Sequence, residues 1–485
     1  MNSSLRASLL TCTLVSALAS LLPEQAQASG LELPAPGSTR SGAARADAAS
    51  VHYNPATLGF VERPTILASG GLLIGGARYT RERLARYQYS DSFDFALPID
   101  ETNIDPSRTG VAEPVSATPV APLGDLFWAQ PLGFAPLTIG AGLYAPWGAV
   151  LNLPDDGAQK WVVQDVSILT TALTPSVAWH IIPELSVGVS MPFYVGRAEL
   201  ARVQDFAEIS DVGVALSRPP INQPNDFRPD APTGVRELDV LARPTVLRNA
   251  WAARPTFAAG ITARPAERVM LGLSYTHSAP MTFVGDIQID MDDEFFTQDL
   301  ASQGLRYPAL IEGRGTLSFT LPWALRFGAV LDVSTMHNLM LNVSVVGWST
   351  VQEFDVRADA AGLSQPDLGL PPTASFAVPR NWNNTWDTEF VHSIQATESL
   401  MAWYGAGLHS PAPPDAFMDL AAIDGWRVTA VAGAGFQLGE RVALLADAEL
   451  QNMLPRRVAS SRFDIGNGDY SLTLFRMAAH LQYTF

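Results

Sequence analysis

The last fifteen residues, Ser471 to Phe485 (SLTLFRMAAHLQYTF), constrain the fold more than any other stretch. In an extended chain Phe475, Met477, Ala479, Leu481, Tyr483 and Phe485 fall on one face, because strand side chains alternate. Arg476, Ala478, His480, Gln482 and Thr484 fall on the other. One face is apolar and the other polar. Two kinds of strand read this way: a half-buried strand of a soluble sheet, and a transmembrane strand with hydrocarbon on one side and water on the other.

The rest of the chain bears on that choice. Residues 1–28 read as a secretory leader, with Arg6 as the positive start, Ala7 to Leu22 as the apolar core and Ala26-Gln27-Ala28 as the cleavage site. Cys12, the only cysteine, would leave with it, so neither a disulfide framework nor a cysteine metal site is expected. Beyond the leader no stretch approaches the roughly 20 uninterrupted apolar residues of a spanning helix. A membrane location would then require strands, since only helices and closed barrels satisfy every backbone polar group in lipid. Composition agrees: 47% hydrophobic residues with 16% charged is too apolar for a disordered chain. A mean hydropathy of +0.11 is too low for a helical membrane protein and suits strands that are apolar on one side only. The net charge of −17 argues against a nucleic-acid partner, whose phosphates demand a basic face.

From Thr65 onward strand-like runs fall at 65–80, 124–132, 136–146, 165–180, 184–201, 255–264, 268–289, 313–331, 338–354, 386–396, 400–409, 426–438, 441–453 and 470–485. That is about fourteen. The connections alternate, long or medium (81–123, the one with Asp155, Asp156 and Gly157, 202–254, 290–312, 355–385, 410–425, 454–469) and short (133–135, 181–183, 265–267, 332–337, 397–399 and Gly439-Glu440). An up-and-down barrel with long loops on one side of a membrane gives this rhythm, whereas a sandwich with crossing connections does not. Faces can be read in three further runs. Val442, Leu444, Ala446, Ala448 and Leu450 oppose Ala443, Leu445, Asp447, Glu449 and Gln451; Val269, Leu271, Leu273 and Tyr275 oppose Gly272, Ser274 and Thr276; Trp323, Leu325, Phe327, Ala329 and Leu331 oppose Arg326 and Gly328. Trp147, Trp161, Trp179, Trp323, Trp348, Trp386, Trp403 and Trp426 lie near run ends, where interfacial girdles would place them. The expected fold is an all-β transmembrane antiparallel barrel of about 14 strands.

Four groups of residues stand out. Ser29 to Phe60 reads as compact coil with a short helix, and in it Asn54-Pro55-Ala56 forms a tight turn: proline pushes Asn54 out of the helical region, and its side chain can bond backbone two residues on. Leu137 to Val150 carries Gly140, Gly142, Pro146 and Gly148, which break or bulge a strand, or merely mark a sheet edge at the rim. Phe295, Phe296 and Leu300, with Leu305, sit among acidic residues as an amphipathic loop helix that either presents a greasy groove or packs on its neighbours. Arg326 opposes an apolar face and belongs in the lumen; Arg427 and Arg476 can point the same way. Each could meet a ligand carboxylate, since a buried anion needs a partner, or pair with Asp447, Glu449 or another acid.

The Asp47-Ala48-Ala49-Ser50 and Asn54-Pro55-Ala56 segments, Thr174-Pro175-Ser176-Val177-Ala178-Trp179 leading into Leu185-Ser186-Val187-Gly188-Val189, Leu321-Pro322-Trp323-Ala324-Leu325-Arg326-Phe327-Gly328, Ser410-Pro411-Ala412-Pro413 and the closing Tyr483-Thr484-Phe485 together resemble the FadL family of outer-membrane long-chain fatty acid transporters, which includes the TodX-type aromatic hydrocarbon channels. The resemblance covers nearly the whole chain after the leader. It implies a leader (1–28), a hatch (29–62) inside the lumen of a barrel (63–485), and a location in the outer membrane of a Gram-negative bacterium. It further implies passive uptake of long-chain fatty acids or other hydrophobic molecules with no cofactor. Loops would capture the ligand, a lumenal site would hold it, and release would be lateral at a kinked strand after hatch movement. Expected partners are the ligand, outer-membrane lipid and lipopolysaccharide, and the barrel-assembly machinery, which the terminal aromatic would address; a monomer is expected. A general diffusion porin is the main alternative and an outer-membrane lipid-modifying enzyme another. The seven histidines are scattered, His52, His277 and His480 read as barrel or segment residues, and no G-x-S-x-G or HExxH run is present.

Overall fold

A computed structural model of the chain describes residues 32–34, 36–83, 87–90, 95–98, 110, 111, 114–155, 158–205, 242–302, 304–366, 369–461 and 466–485. The expected leader (1–28) and the first three residues of the expected hatch (29–31) lie outside them. Fourteen strands run up and down around a closed ring. They are β1 (Thr65–Arg83), β2 (Val115–Ala117 and Val120–Leu132), β3 (Leu137–Asn152), β4 (Asp165–Ile182), β5 (Leu185–Ser190 and Phe193–Asp205), β6 (Ala242–Pro255 and Ala258–Ala266) and β7 (Val269–Thr276 and Ala279–Asp290). The second half comprises β8 (Leu310–Leu321 and Ala324–Asp332), β9 (His337–Val346 and Glu353–Asp359), β10 (Thr373–Pro379 and Thr385–Gln395), β11 (Leu400–His409), β12 (Arg427–Leu438), β13 (Val442–Met453) and β14 (Gly468–Thr484). Each pairs antiparallel with its neighbours, and β14 returns to β1 from Thr65↔Thr484 to Arg81↔Gly468. Closure pairs the first strand with the last, so the sheet has no terminal edge strand to leave in hydrocarbon.

The alternation read from the sequence is carried by the wall. Leu271, Leu273, Leu325, Phe327, Leu444, Leu450, Met477 and Leu481 are exposed on its outside. Ser274, Asp447, Gln451, Arg476 and His480 are buried on its inside. A soluble chain would do the reverse, so a continuous apolar exterior of this kind is a lipid-facing surface. The tight turn at Gly439 has φ +69°, a conformation glycine adopts without steric cost.

Three expectations are corrected. Several strands run on past the lipid-facing band: Ala242–Pro255 and Thr373–Pro379 are strands where loop was expected, because hairpin pairing continues after the exterior has become polar. The tryptophans do not all form girdles. Trp179, Trp386 and Trp426 are exposed, but Trp147, Trp161, Trp348 and Trp403 are buried inside. The loop helix at 290–310 is no continuous amphipathic helix; a single π turn (Phe295–Asp299) and a short α turn (Leu300–Ser302) turn Phe296, Leu300 and Leu305 fully inward. The side chain of Phe295 lies outside the described residues.

Candidate functional site: the filled lumen and a gap in its wall

Residues 32–60 run inside the ring and are buried against inward-facing residues of most strands. A helical turn (Ser50–Tyr53) leads into a 3-10 helix (Pro55–Phe60) with Asn54 between them. The Asn54 side chain accepts from the Ala56 N–H (3.1 Å) and donates to the Ala43 carbonyl (2.8 Å) and to Thr262 Oγ1 on β6 (3.0 Å). It thus caps the 3-10 turn and ties two parts of the segment to the wall at once. Pro55 and Ala56 press on Gly188 of β5, where any Cβ would overlap their backbone. Gly272 of β7 is bare for the same reason, because a Cβ there would overlap the Ala43 carbonyl. On the far side Asp447 of β13 accepts from the Thr39 N–H (2.8 Å), Thr39 Oγ1 (3.2 Å), Ser38 Oγ (3.0 Å) and Arg476 (3.0 Å). His480 Nε2 lies 3.2 Å from the same carboxylate, and its Nδ1 is 2.8 Å from Ser69 Oγ. Ser, His and Asp in a row suggest a hydrolase relay, but this carboxylate spends its lone pairs holding the segment. Trp403 Nε1 donates to Thr39 Oγ1 (2.8 Å).

The wall is incomplete on one side. Between β2 and β3 pairing runs from Leu132↔Leu137 only as far as Leu126↔Leu143. Beyond it β3 continues with β4 alone, through a register shift between Tyr144 and Trp147, while β2 continues with β1 alone. Pro146 stands at the shift. The segment lies along the freed edge: the Leu33 N–H donates to the Pro146 carbonyl (3.3 Å) and Glu32 bridges to Trp147. Gly140 lies under Val51 and Leu58, Gly142 under Phe127 and Val51, and Gly148 under Leu33. The glycines picked out in this strand therefore mark places where the segment approaches closely.

Above the segment, toward the long loops, the lumen is lined with apolar side chains. From the freed edge a row of rings runs inward: Trp147 to Trp348 (5.6 Å), Trp348 to Trp382 (5.2 Å), Trp382 to Phe354 (5.8 Å), Phe354 to Phe319 (5.2 Å) and Phe319 to Phe283 (5.5 Å). The first three pairs are edge-to-face, the fourth is tilted and the last is stacked, so the row presents both ring faces and edges to a neighbour. Phe296, Leu300 and Leu305 close the same apolar volume under the loops.

The family model for outer membrane protein transport proteins (OMPP1/FadL/TodX) matches residues 12–464. The chain belongs to the FadL/TodX family. Among solved structures, a FadL homologue from Pseudomonas aeruginosa superposes with a TM-score of 0.70 at 15% identity, covering 96% of this chain and 99% of that one. The Ralstonia pickettii toluene transporter TbuX gives 0.60 at 14%, covering 94% and 99%. The P. putida toluene transporter TodX gives 0.60 at 13%, covering 92% and 98%. At such identities the likeness is one of fold. None of the curated protein sequences matches the chain. The family and the fourteen-strand barrel place it in the outer membrane of a Gram-negative bacterium.

The three arginines proposed from the sequence have different surroundings in this FadL/TodX-family barrel. Arg476 is committed to Asp447 and the Gly37 carbonyl, and Arg427 to Asp424 (3.1 Å). Those two are internal ion pairs. Arg326 bonds Thr276 Oγ1 (3.1 Å) and makes no ion pair among the described residues. Its charge is felt by Glu32 and by His52. Burial, with that cation close by, holds the His52 imidazole well below its usual range and therefore neutral. Burial pushes the Glu32 carboxyl up to about 7, helped by the nearby Asp387 carboxylate and opposed by Arg326 and Arg427. Glu32 shares a small polar cavity of about 10 Å³ with Asp387, His409, Asp424 and Arg427, room for about one water.

Sequence reasoning passed over Glu32 and the ring row, and it named Gly272 only as facing away from the apolar side and Gly188 only within a motif, without their contact to the segment. The glycines left a signal: each sits at an inward position of a strand that is otherwise well filled. Glu32 left none, because a lone acid in coil says nothing of what it faces.

Proposed function

We propose that this barrel carries hydrophobic molecules, fatty acids foremost, passively across the outer membrane, with residues 29–62 as a hatch and the β2–β3 gap as a lateral exit. The carrying observation is the end of β2–β3 pairing at Leu143, with Leu33 and Glu32 laid along the freed edge. An apolar solute gains about 0.8 kcal/mol per buried CH₂, so a route lined by Trp147, Trp348 and Phe354 and opening into hydrocarbon avoids the aqueous step that a porin would impose. Phe296 and Leu300 serve in this reading as a roof over the lumen that parts to admit ligand. Arg326 is the one of the three arginines without an acidic partner and takes a ligand carboxylate, in competition with Glu32. Arrival of a head group there loosens Glu32 from Trp147, and so the N-terminal strand from β3. The Asn54-Pro55-Ala56 corner remains as the hinge against β5 and β6.

Uptake of radiolabelled oleate and of toluene should be measured in a transporter-deficient strain, alongside conductance in planar bilayers. Uptake with little steady conductance is expected; steady conductance without uptake would return the porin. A second reading, uptake of small aromatics such as toluene, the solute for which the transporters TbuX and TodX are named, rests on the row of rings. Arg326→Gln separates the two. A charge-assisted hydrogen bond contributes about 1.5–3 kcal/mol, so oleate uptake should fall at least about tenfold while toluene uptake holds. Loss of both, or of neither, would remove Arg326 from the ligand site.

A further inference from the structure

On the side of the short turns, below the N-terminal segment, a cavity of about 280 Å³ opens to the periplasm. Arg40 and Arg45 of the segment, Arg63 just before β1, and Gln482 and Thr484 of β14 line it. Arg40 is only 8% exposed, yet its Nε has no hydrogen-bond partner and it makes no ion pair among the described residues. Its guanidinium lies over the Trp403 ring (5.2 Å), which supplies some electrostatic stabilisation but no acceptor. The acids on the same cavity are Asp47 and Glu62. Asp47 accepts from Ser41 Oγ (2.9 Å) and feels the charge of both Arg40 and Arg45, but makes an ion-pair contact with neither, and Glu62 is exposed. Arg63 and Glu62 are both exposed, which leaves Arg40 and Arg45 facing Asp47 alone, and Arg40, the most buried of the cations, has no ion-pair contact among the described residues. Burying a charge without a counter-charge and hydrogen bonds is costly, and buried charges are ordinarily paired. Guanidinium forks match planar and tetrahedral oxyanions, and Gln482 and Thr484 offer further donors beside them.

We infer that this cavity is an oxyanion site, taking a carboxylate or phosphate group from the periplasmic side between Arg40 and Arg45. It is separated from the apolar lumen by the N-terminal segment and stands or falls apart from the transport route. An anion seated there joins the segment to β14 and steadies the closed barrel from below.

Arginine labelling by phenylglyoxal, read peptide by peptide by mass spectrometry on the purified full-length protein in detergent, tests the site. Acetate, inorganic phosphate and dodecanoate are each compared with sodium chloride at equal ionic strength. A bound anion at ten times its dissociation constant should slow labelling of Arg45 about tenfold. The protection should vanish in Arg40→Gln and survive in Arg40→Lys. Protection by dodecanoate at far lower concentration than acetate identifies an amphiphile head group as the source; equal potency identifies a free solute. Protection matched by chloride, protection unchanged in Arg40→Gln, or no protection of the wild-type protein overturns the proposal. Should Arg40→Gln not fold, the comparison of anions on the wild-type protein alone decides.

Discussion

Asp447 and Glu32 show how single residues set the state of the lumen. Asp447 gathers Ser38, Thr39 and Arg476 on one carboxylate, so Asp447→Ala leaves Arg476 buried without its counter-ion. Breaking a buried pair from one side costs about 3–5 kcal/mol. The expected outcome is a lowered unfolding temperature and faster proteolysis between residues 32 and 60; an unchanged digest would show that the segment is held elsewhere. Glu32 carries a pH dependence of definite sign. Its carboxyl in the docked state titrates near 7 instead of the usual 4.5, burial being the main cause. The docked state therefore favours the protonated form. Its contribution is complete below about pH 4.5 and is lost as pH rises through 7, about 3 kcal/mol across the window. A spin label on Leu33→Cys should grow more mobile from pH 5 to pH 8, and Glu32→Gln should flatten that curve. A curve of the same shape in Glu32→Gln would place the titration on another group.

At the scale of the strand the deciding fact is where side chains are missing. Gly272→Val drives a side chain into the Ala43 carbonyl and Gly188→Val drives one into Pro55 and Ala56, so either change forces the segment off the wall. Overpacking of this kind typically costs 1–3 kcal/mol, roughly enough to populate an undocked segment. The readout is ion conductance in planar bilayers, which should rise in both variants; wild-type conductance would mean that the strand bends to absorb the change. The same scale shows what could be read beforehand. Period two in β7, β8, β13 and β14 gave the correct inner and outer faces, because lipid and water impose opposite demands on alternate residues. The fourteen runs and their long and short connections were legible for the same reason. The fate of Trp147, Trp348 and Trp403 was not, since an interior filled by the chain itself gives aromatic residues a second place to go. Nor was the inward turn of Phe296 and Leu300, where a loop of acidic and apolar residues fits a surface groove and a buried roof equally well. Arg476 and Arg427 read as lumenal, but whether a lumenal cation meets ligand or a neighbour depends on cross-strand partners such as Asp447.

At the scale of the whole molecule, a barrel of fourteen strands leaves a bore that side chains alone would not close, and residues 32–60 take up that space. Removing residues 32–60 while keeping β1 to β14 should yield a folded barrel with steady ion conductance and diminished selectivity between oleate and hydrophilic solutes. A non-conducting truncated barrel would assign closure to the loop residues Phe296, Leu300 and Leu305 instead. The chain's ends add a constraint of their own. The final amide, Phe485 N–H, is bonded to the carbonyl of Pro64 (3.0 Å), the residue at which the inner segment becomes the first strand. The first and last strands are neighbours, so the cylinder is sealed only where β14 pairs with β1. Only four residues separate the inner segment from β1, so the place where that segment enters the lumen is fixed by the seam. The bond that finishes the wall is thus also the one that anchors the root of what the wall encloses, and a change that opens the seam there frees both.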